Sequence, residues 1–181
     1  MFLRSLGVVV TVVALLAHFA GAGGAQPVGE ATAGSGTATR VVTVAGSGVD
    51  DLKNAMVHWK NPTATGFVQQ STEIVELSGD LRGRVLYHVT SVLDSVNGTL
   101  VNTGDQVYSG TVAGSAPAMI HDDQFRFEVN LTTGQETGQV HLLNHIAGPK
   151  VRCQLDVAGT GVNAEGNPTF DYRGVCTFRG E

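Results

Sequence analysis

The chain has 181 residues, enough for one domain with a substantial core and too few for two full-sized ones. Charged residues are only 15% against roughly 25% in ordinary soluble domains, and glycine, at 24 residues, is about twice as frequent as usual. With so little Lys and Glu a helical bundle or coiled coil is excluded, a net charge of −5 removes the footprint of a nucleic-acid binder, and 42% hydrophobic residues argue against wholesale disorder.

Met1–Ser5 carries one basic residue, Arg4, and Leu6–Ala17 is an unbroken apolar run followed by small residues from Ala20 to Ala25. That order of charged, apolar and small segments is the pattern of a secretory signal peptide, with cleavage expected near Ala25–Gln26. Twelve residues span roughly 18 Å as a helix, short of the ~30 Å hydrocarbon core, so a cleaved signal is favoured over a membrane anchor. No cysteine near the cleavage region offers a lipid attachment point, and the charged C-terminal end does not resemble a glycolipid-anchor tail. The expected product is secreted, extracellular or periplasmic, with no stable membrane insertion after cleavage. Residues 26–39, rich in Gly, Ala, Ser and Thr, read as a flexible leader, and residues 40–181 as a single domain.

Alternation with period two recurs along that domain. Candidate strands are Arg40–Ala45, Phe67–Leu77, Arg84–Val96, Asp105–Ala113, Gln124–Leu131, Glu136–Leu143, Val151–Ala158 and Thr169–Phe178. In Gln124–Leu131, Phe125, Phe127, Val129 and Leu131 share one face. Between the first two strands, Ser47–Trp59 places Val49, Leu52, Ala55, Met56 and Trp59 at helical spacing; it is either a short helix closing one barrel mouth or an irregular strand or loop. Asn97–Gly98 predicts a two-residue hairpin with both central residues at positive φ. Gly79-Asp80-Leu81-Arg82-Gly83, Thr133–Gly134, Gly148–Pro149 and Asn163–Pro168 supply the other breaks. Eight short strands separated by turns predict an all-β fold, an eight-stranded antiparallel barrel that leaves no open sheet edge.

Cys153 and Cys176 are the only cysteines. Their parities match the apolar faces of the last two strands, and a hairpin centred between Ala164 and Glu165 sets them opposite each other. With an oxidising compartment expected, they predict a disulfide.

His141 and His145 are four apart, which on a strand means roughly 13 Å, too far to share a metal. His121-Asp122-Asp123 reads as a turn facing water. No nucleotide loop, nucleophile elbow or metal-binding helix motif occurs, so the sequence calls for neither cofactor nor metal. His88 shares a strand face with Leu86, Thr90 and Val92, opposite Tyr87 and Val89; if that face points into the barrel, His88 is a polar group among apolar ones, able to donate or accept a proton or orient a ligand, and the catalytic candidates are His88 and Tyr87. Tyr108, Phe125, Phe127 and His141 are candidate ligand contacts. Arg126 and Glu128 read as solvent-facing, and Asn97 and Asn130 head glycosylation triplets that matter only in a eukaryotic host.

The run from Gly79-Asp80-Leu81-Arg82-Gly83 through the Tyr87 strand, the Asn97–Gly98 turn, Tyr108-Ser109-Gly110-Thr111-Val112-Ala113-Gly114 and the Phe125–Val129 strand resembles the allene oxide cyclase-like and dirigent-like barrels. It is most similar to their bacterial members of unknown function, with the G-D-L-x-G turn. The likeness covers roughly Phe67–Leu143, with an echo at Gly159-Thr160-Gly161. It implies an eight-stranded antiparallel barrel with a hydrophobic cavity, in a family whose plant members steer cyclisation or coupling of apolar intermediates by shape. No catalytic residue is carried over, and the cysteine-bearing last hairpin and a long Ser115–Asp123 loop depart from the pattern. Three functions follow as expectations: a binder of a small hydrophobic molecule, a cofactor-independent cyclase or isomerase, or a filled barrel acting as a surface or protein-interaction module.

Overall fold

A computed structural model describes residues 38–180. The expected signal peptide and nearly all of the leader lie outside the described residues. Ten strands follow in chain order: β1 (Thr39–Asp50), β2 (Met56–Pro62), β3 (Gly66–Gly79), β4 (Leu81–Asp94), β5 (Thr99–Val112), β6 (Ala118–Asn130), β7 (Glu136–Leu142), β8 (Asn144–Ala147), β9 (Val151–Val162) and β10 (Pro168–Arg179). Eight of them pair in the order β1-β10-β9-β7-β6-β5-β4-β3, and β1 closes the ring on β3, pairing Gly46–Asp50 with Val75–Gly79. All pairings are antiparallel, so the fold is the expected closed eight-stranded barrel, and the eight strands read from the sequence are its eight staves. The two others prolong staves of the ring, β2 that of β1 along β3 and β8 that of β7, whose register on β6 it continues. Strand β2 extends along the half of β3 that β1 does not reach, and β8 along the half of β6 that β7 does not reach.

Several local expectations change. Strand β1 runs to Asp50, past Ala45, with Gly46 and Gly48 as seats for rings: a Cβ at Gly48 would overlap the Phe170 ring. Ser47–Trp59 is not a helix; it holds the end of β1, one 3₁₀ turn at Leu52–Asn54 and the start of β2. Asn97–Gly98 closes a four-residue loop in which only Gly98 has positive φ (64°). Asp94 organises that loop by accepting from the backbone N–H of Val96 (3.0 Å) and Asn97 (3.1 Å), and these bonds hold its carboxyl below the usual range. The expected Ser115–Asp123 loop is short, since β6 begins at Ala118.

His121-Asp122-Asp123 lies within β6 and is not a turn. Asp122 is fully buried, and its carboxylate accepts from Gln106 Nε2 (2.9 Å), His141 N (2.7 Å) and Gln124 N (2.9 Å). Here β6 passes from β8 to β7 and carries a bulge opposite Gly104–Gln106. The carboxylate gathers N–H groups around that irregularity, which would otherwise be buried unpaired. The bulge also switches parity, so Ile120 and Asp122 before it and Phe125 and Phe127 after it all face inward.

The Gly79-Asp80-Leu81 turn is a corner joining four strands. Asp80 bonds Ala45 twice, through its own N–H (3.0 Å) and by accepting from Ala45 N (2.9 Å). Tyr172 Oη accepts from Leu81 N (2.7 Å) and donates to Ser78 O (2.9 Å). Gly79 adopts φ 95° there, which favours glycine.

The interior is filled unevenly. At the end carrying the β3–β4 and β5–β6 turns, Val44, Leu81, Tyr108, Val112, Ile120, Val151, Cys153 and Phe178 are all buried to within about one per cent. Each such side chain contributes roughly 1.5–3 kcal/mol of burial. Cys153 and Cys176 form the expected disulfide in this half, directly opposite each other on β9 and β10. The opposite end is bounded by the β4–β5, β6–β7 and β9–β10 loops and the Leu52–Asn54 turn.

Candidate functional site

Toward that second, open end the inward-facing side chains no longer fill the barrel and leave a cavity of ≈240 Å³. Its wall is largely apolar, with Val75, Val85, Leu142, Leu155, Val157, Phe127 and Phe170 contributing from six staves. Leu52, on the single 3₁₀ turn, borders the mouth and is about half exposed. Gly138 on β7 gives Phe127 its place, since a Cβ there would overlap the ring.

Set into this wall is a polar group. Glu73 on β3 is only 7% exposed. Its carboxylate accepts from Ser71 Oγ (2.6 Å) and from Tyr87 Oη (2.8 Å). Tyr87 Oη also lies 3.2 Å from Asp50 Oδ2, at the last residue of β1. The closure of β1 on β3 is what creates the cluster, because it brings Asp50 to Val75 in register, two residues from Glu73. Burial first, then the negative charge of Glu73, pushes the Asp50 carboxyl up to about 8. At neutral pH Asp50 therefore keeps its proton. The Tyr87 phenol is raised well above its ordinary value by burial and by both carboxyl groups. Glu136, the first residue of β7, also lines the cavity and is raised by burial. Two further oxygen atoms here, Asp50 Oδ1 and Asn102 Oδ1, are buried without a hydrogen-bond partner.

The sequence candidates divide. Tyr87 and Phe127 both line the cavity. Phe125 stands behind them, in edge contact with Tyr87 (5.4 Å between centroids) and tilted against Phe127 (5.5 Å). Tyr108 lies in the filled half, donating to Thr111 O (2.6 Å). His88 is on the outer wall, 3.3 Å from Asp105 Oδ2, with His121 on the other side of the same carboxylate at 3.8 Å. His141 alternates with the inward Val140 and Leu142 and so points away from the cavity. Arg126 pairs with Glu128 on the exposed face, as expected. Sequence reasoning missed Asp50, Glu73, Asn102 and Glu136. Glu73 left one trace, an acidic residue on the same parity as Val75 and Leu77, but Glu76 on the opposite parity cancels it.

Among the described residues no group of three or more His, Cys, Asp or Glu side chains is placed to hold a metal ion. Fold and site together define a closed antiparallel β-barrel with one packed half and one hollow half, the hollow half holding a buried carboxyl pair. Compared with protein-family models, curated proteins and solved structures, the chain matches none.

Proposed function

We propose that this is an exported β-barrel that binds one small, largely apolar molecule in the hollow half of its interior. The carrying observation is the cavity itself. Eight-stranded barrels either fill their interior with side chains or hold one small ligand, and this one does the first at one end and leaves ≈240 Å³ at the other. Export is supported by the disulfide, which suits an oxidising compartment. The similarity of the Gly79–Gly83 turn and the following strands to allene oxide cyclase-like barrels supports the same reading.

A second reading, a cofactor-independent isomerase or cyclase, is favoured by one feature. Asp50 holds a proton close to Glu73, and the Tyr87 hydroxyl lies between the two, so one wall carries a proton donor and acceptors side by side. That pairing is what proton transfer to and from one substrate requires.

Native mass spectrometry of protein purified without denaturant tests the binding reading. Wild type should carry a small-molecule adduct. Val157→Phe, which enlarges an inward side chain of the cavity wall, should lose it while keeping the barrel's circular dichroism. A bare wild-type mass, or equal adducts in both proteins, would count against it.

A further inference from the structure

The geometry points to a particular ligand class: a small organic cation, an apolar body carrying a protonated amine that docks against Asp50, Glu73 and Glu136. This rests on the cavity-binding reading and deepens it.

The first argument is charge. Three carboxyl groups line the cavity, and no Lys, Arg or His does so among the described residues. The barrel does pair acids with cations elsewhere, but on its outer wall, as Arg84 with Glu76 (2.6 Å) and Arg126 with Glu128. Asp50 stays neutral by keeping its proton, but Glu73 is buried with no cation lining the cavity beside it among the described residues, and an ammonium brought in by the ligand supplies one.

The second argument is a count of protons. Carboxylates and amide oxygens accept, while a phenol or a serine hydroxyl has a single proton to give. Ser71 and Tyr87 each spend theirs on Glu73. Asp50 Oδ1 and Asn102 Oδ1 are buried and receive none. An alkylammonium carries two or three N–H donors on one positive atom, which answers both deficits. A carboxylate or phosphate would bring negative charge beside Glu73 and would give Asp50 Oδ1 and Asn102 Oδ1 no proton. The aliphatic side chains of Val75, Val85, Leu155 and Val157 then receive the rest of the molecule.

Calorimetric titration with phenethylamine, 2-phenylethanol and phenylacetate, three probes of similar size and shape, separates the possibilities. The amine should bind on the order of tenfold more tightly than the alcohol, the scale of one charged hydrogen bond, and phenylacetate most weakly. Glu73→Gln should bring amine and alcohol to within about threefold of each other, and Glu136→Gln, nearer the mouth, should weaken the amine without affecting the alcohol. If the alcohol or phenylacetate binds as tightly as the amine to wild type, the amine assignment is overturned while ligand binding stands. If none of the three binds, the amine assignment falls, and the adduct measurement decides separately whether the cavity holds anything.

Discussion

Replacing Cys153 and Cys176 together by alanine should lower the unfolding free energy by about 3 kcal/mol, the value that loop entropy assigns to a crosslink closing a loop of this length. For a domain of this size that is a fall in melting temperature of about 10 °C. The bond staples β9 to β10 inside the packed half, where both sulfurs are buried among Val44, Val151 and Phe178. Alanine also leaves a small void, so the loss should not be less than the entropic figure. Thermal unfolding of the double variant beside wild type, with and without reductant, checks it. Wild type under reductant should approach the variant, and a variant that melts with wild type would show that the hairpin is held by its ladder alone.

Asp50→Asn should be nearly neutral at about pH 5 and stabilising by about 1–3 kcal/mol at about pH 9. The sign follows from the raised carboxyl. An unfolded Asp releases its proton near 3.9, whereas folded Asp50 holds it to about 8. Across that window the folded state binds the extra proton, so stability falls as pH rises and the loss is complete above 8. Glu136, raised by burial, contributes in the same direction, while Asp94, lowered by its loop hydrogen bonds, works the opposite way and only on the acid side. Asparagine at 50 offers Glu73 an N–H at every pH and removes the like charge. Urea unfolding at the two pH values reads the difference directly. An equal effect at both would mean that Asp50 does not carry the proton.

The staves were legible because a barrel buries one face of each strand, and burial imprints alternation. In the last hairpin the shared parity of Cys153 and Cys176 set them opposite each other as expected, while a bulge at Thr169/Phe170 moves the centre of the Asn163–Asn167 loop from between Ala164 and Glu165 onto Glu165. Signals failed where a residue had two readings. The strand read to Ala45 runs on to Asp50, with Gly46 and Gly48 lying under Tyr172 and Phe170. His121–Asp123 looks like a polar turn, yet a bulge buries Asp122, and the parity switch at a bulge is invisible to a period-two count. The carboxyl pair was illegible for a different reason. Asp50 and Glu73 meet only because β1 closes on β3, and no local pattern records a contact that depends on ring closure. Of the two proton-handling candidates Tyr87 lines the cavity and His88 lies on the outer wall, a choice of strand face that alternation alone left open.

High glycine and low charge thus share a structural cause beyond tight turns. Glycines inside the staves make room for Phe127, Phe170 and Tyr172, and three of the few acids are spent on the cavity wall.

The claim that a ligand sits in the hollow half is tested most directly by methyl-resolved NMR during titration with phenethylamine. The methyl signals of Val75, Val85, Leu155 and Val157, which line the cavity, should shift together and saturate on one curve. Those of Leu86, Val92 and Val175, exposed on the outer wall, should stay in place. Shifts confined to the outer methyls would contradict it, whereas no shift at all would overturn the amine assignment and leave the cavity to the adduct measurement.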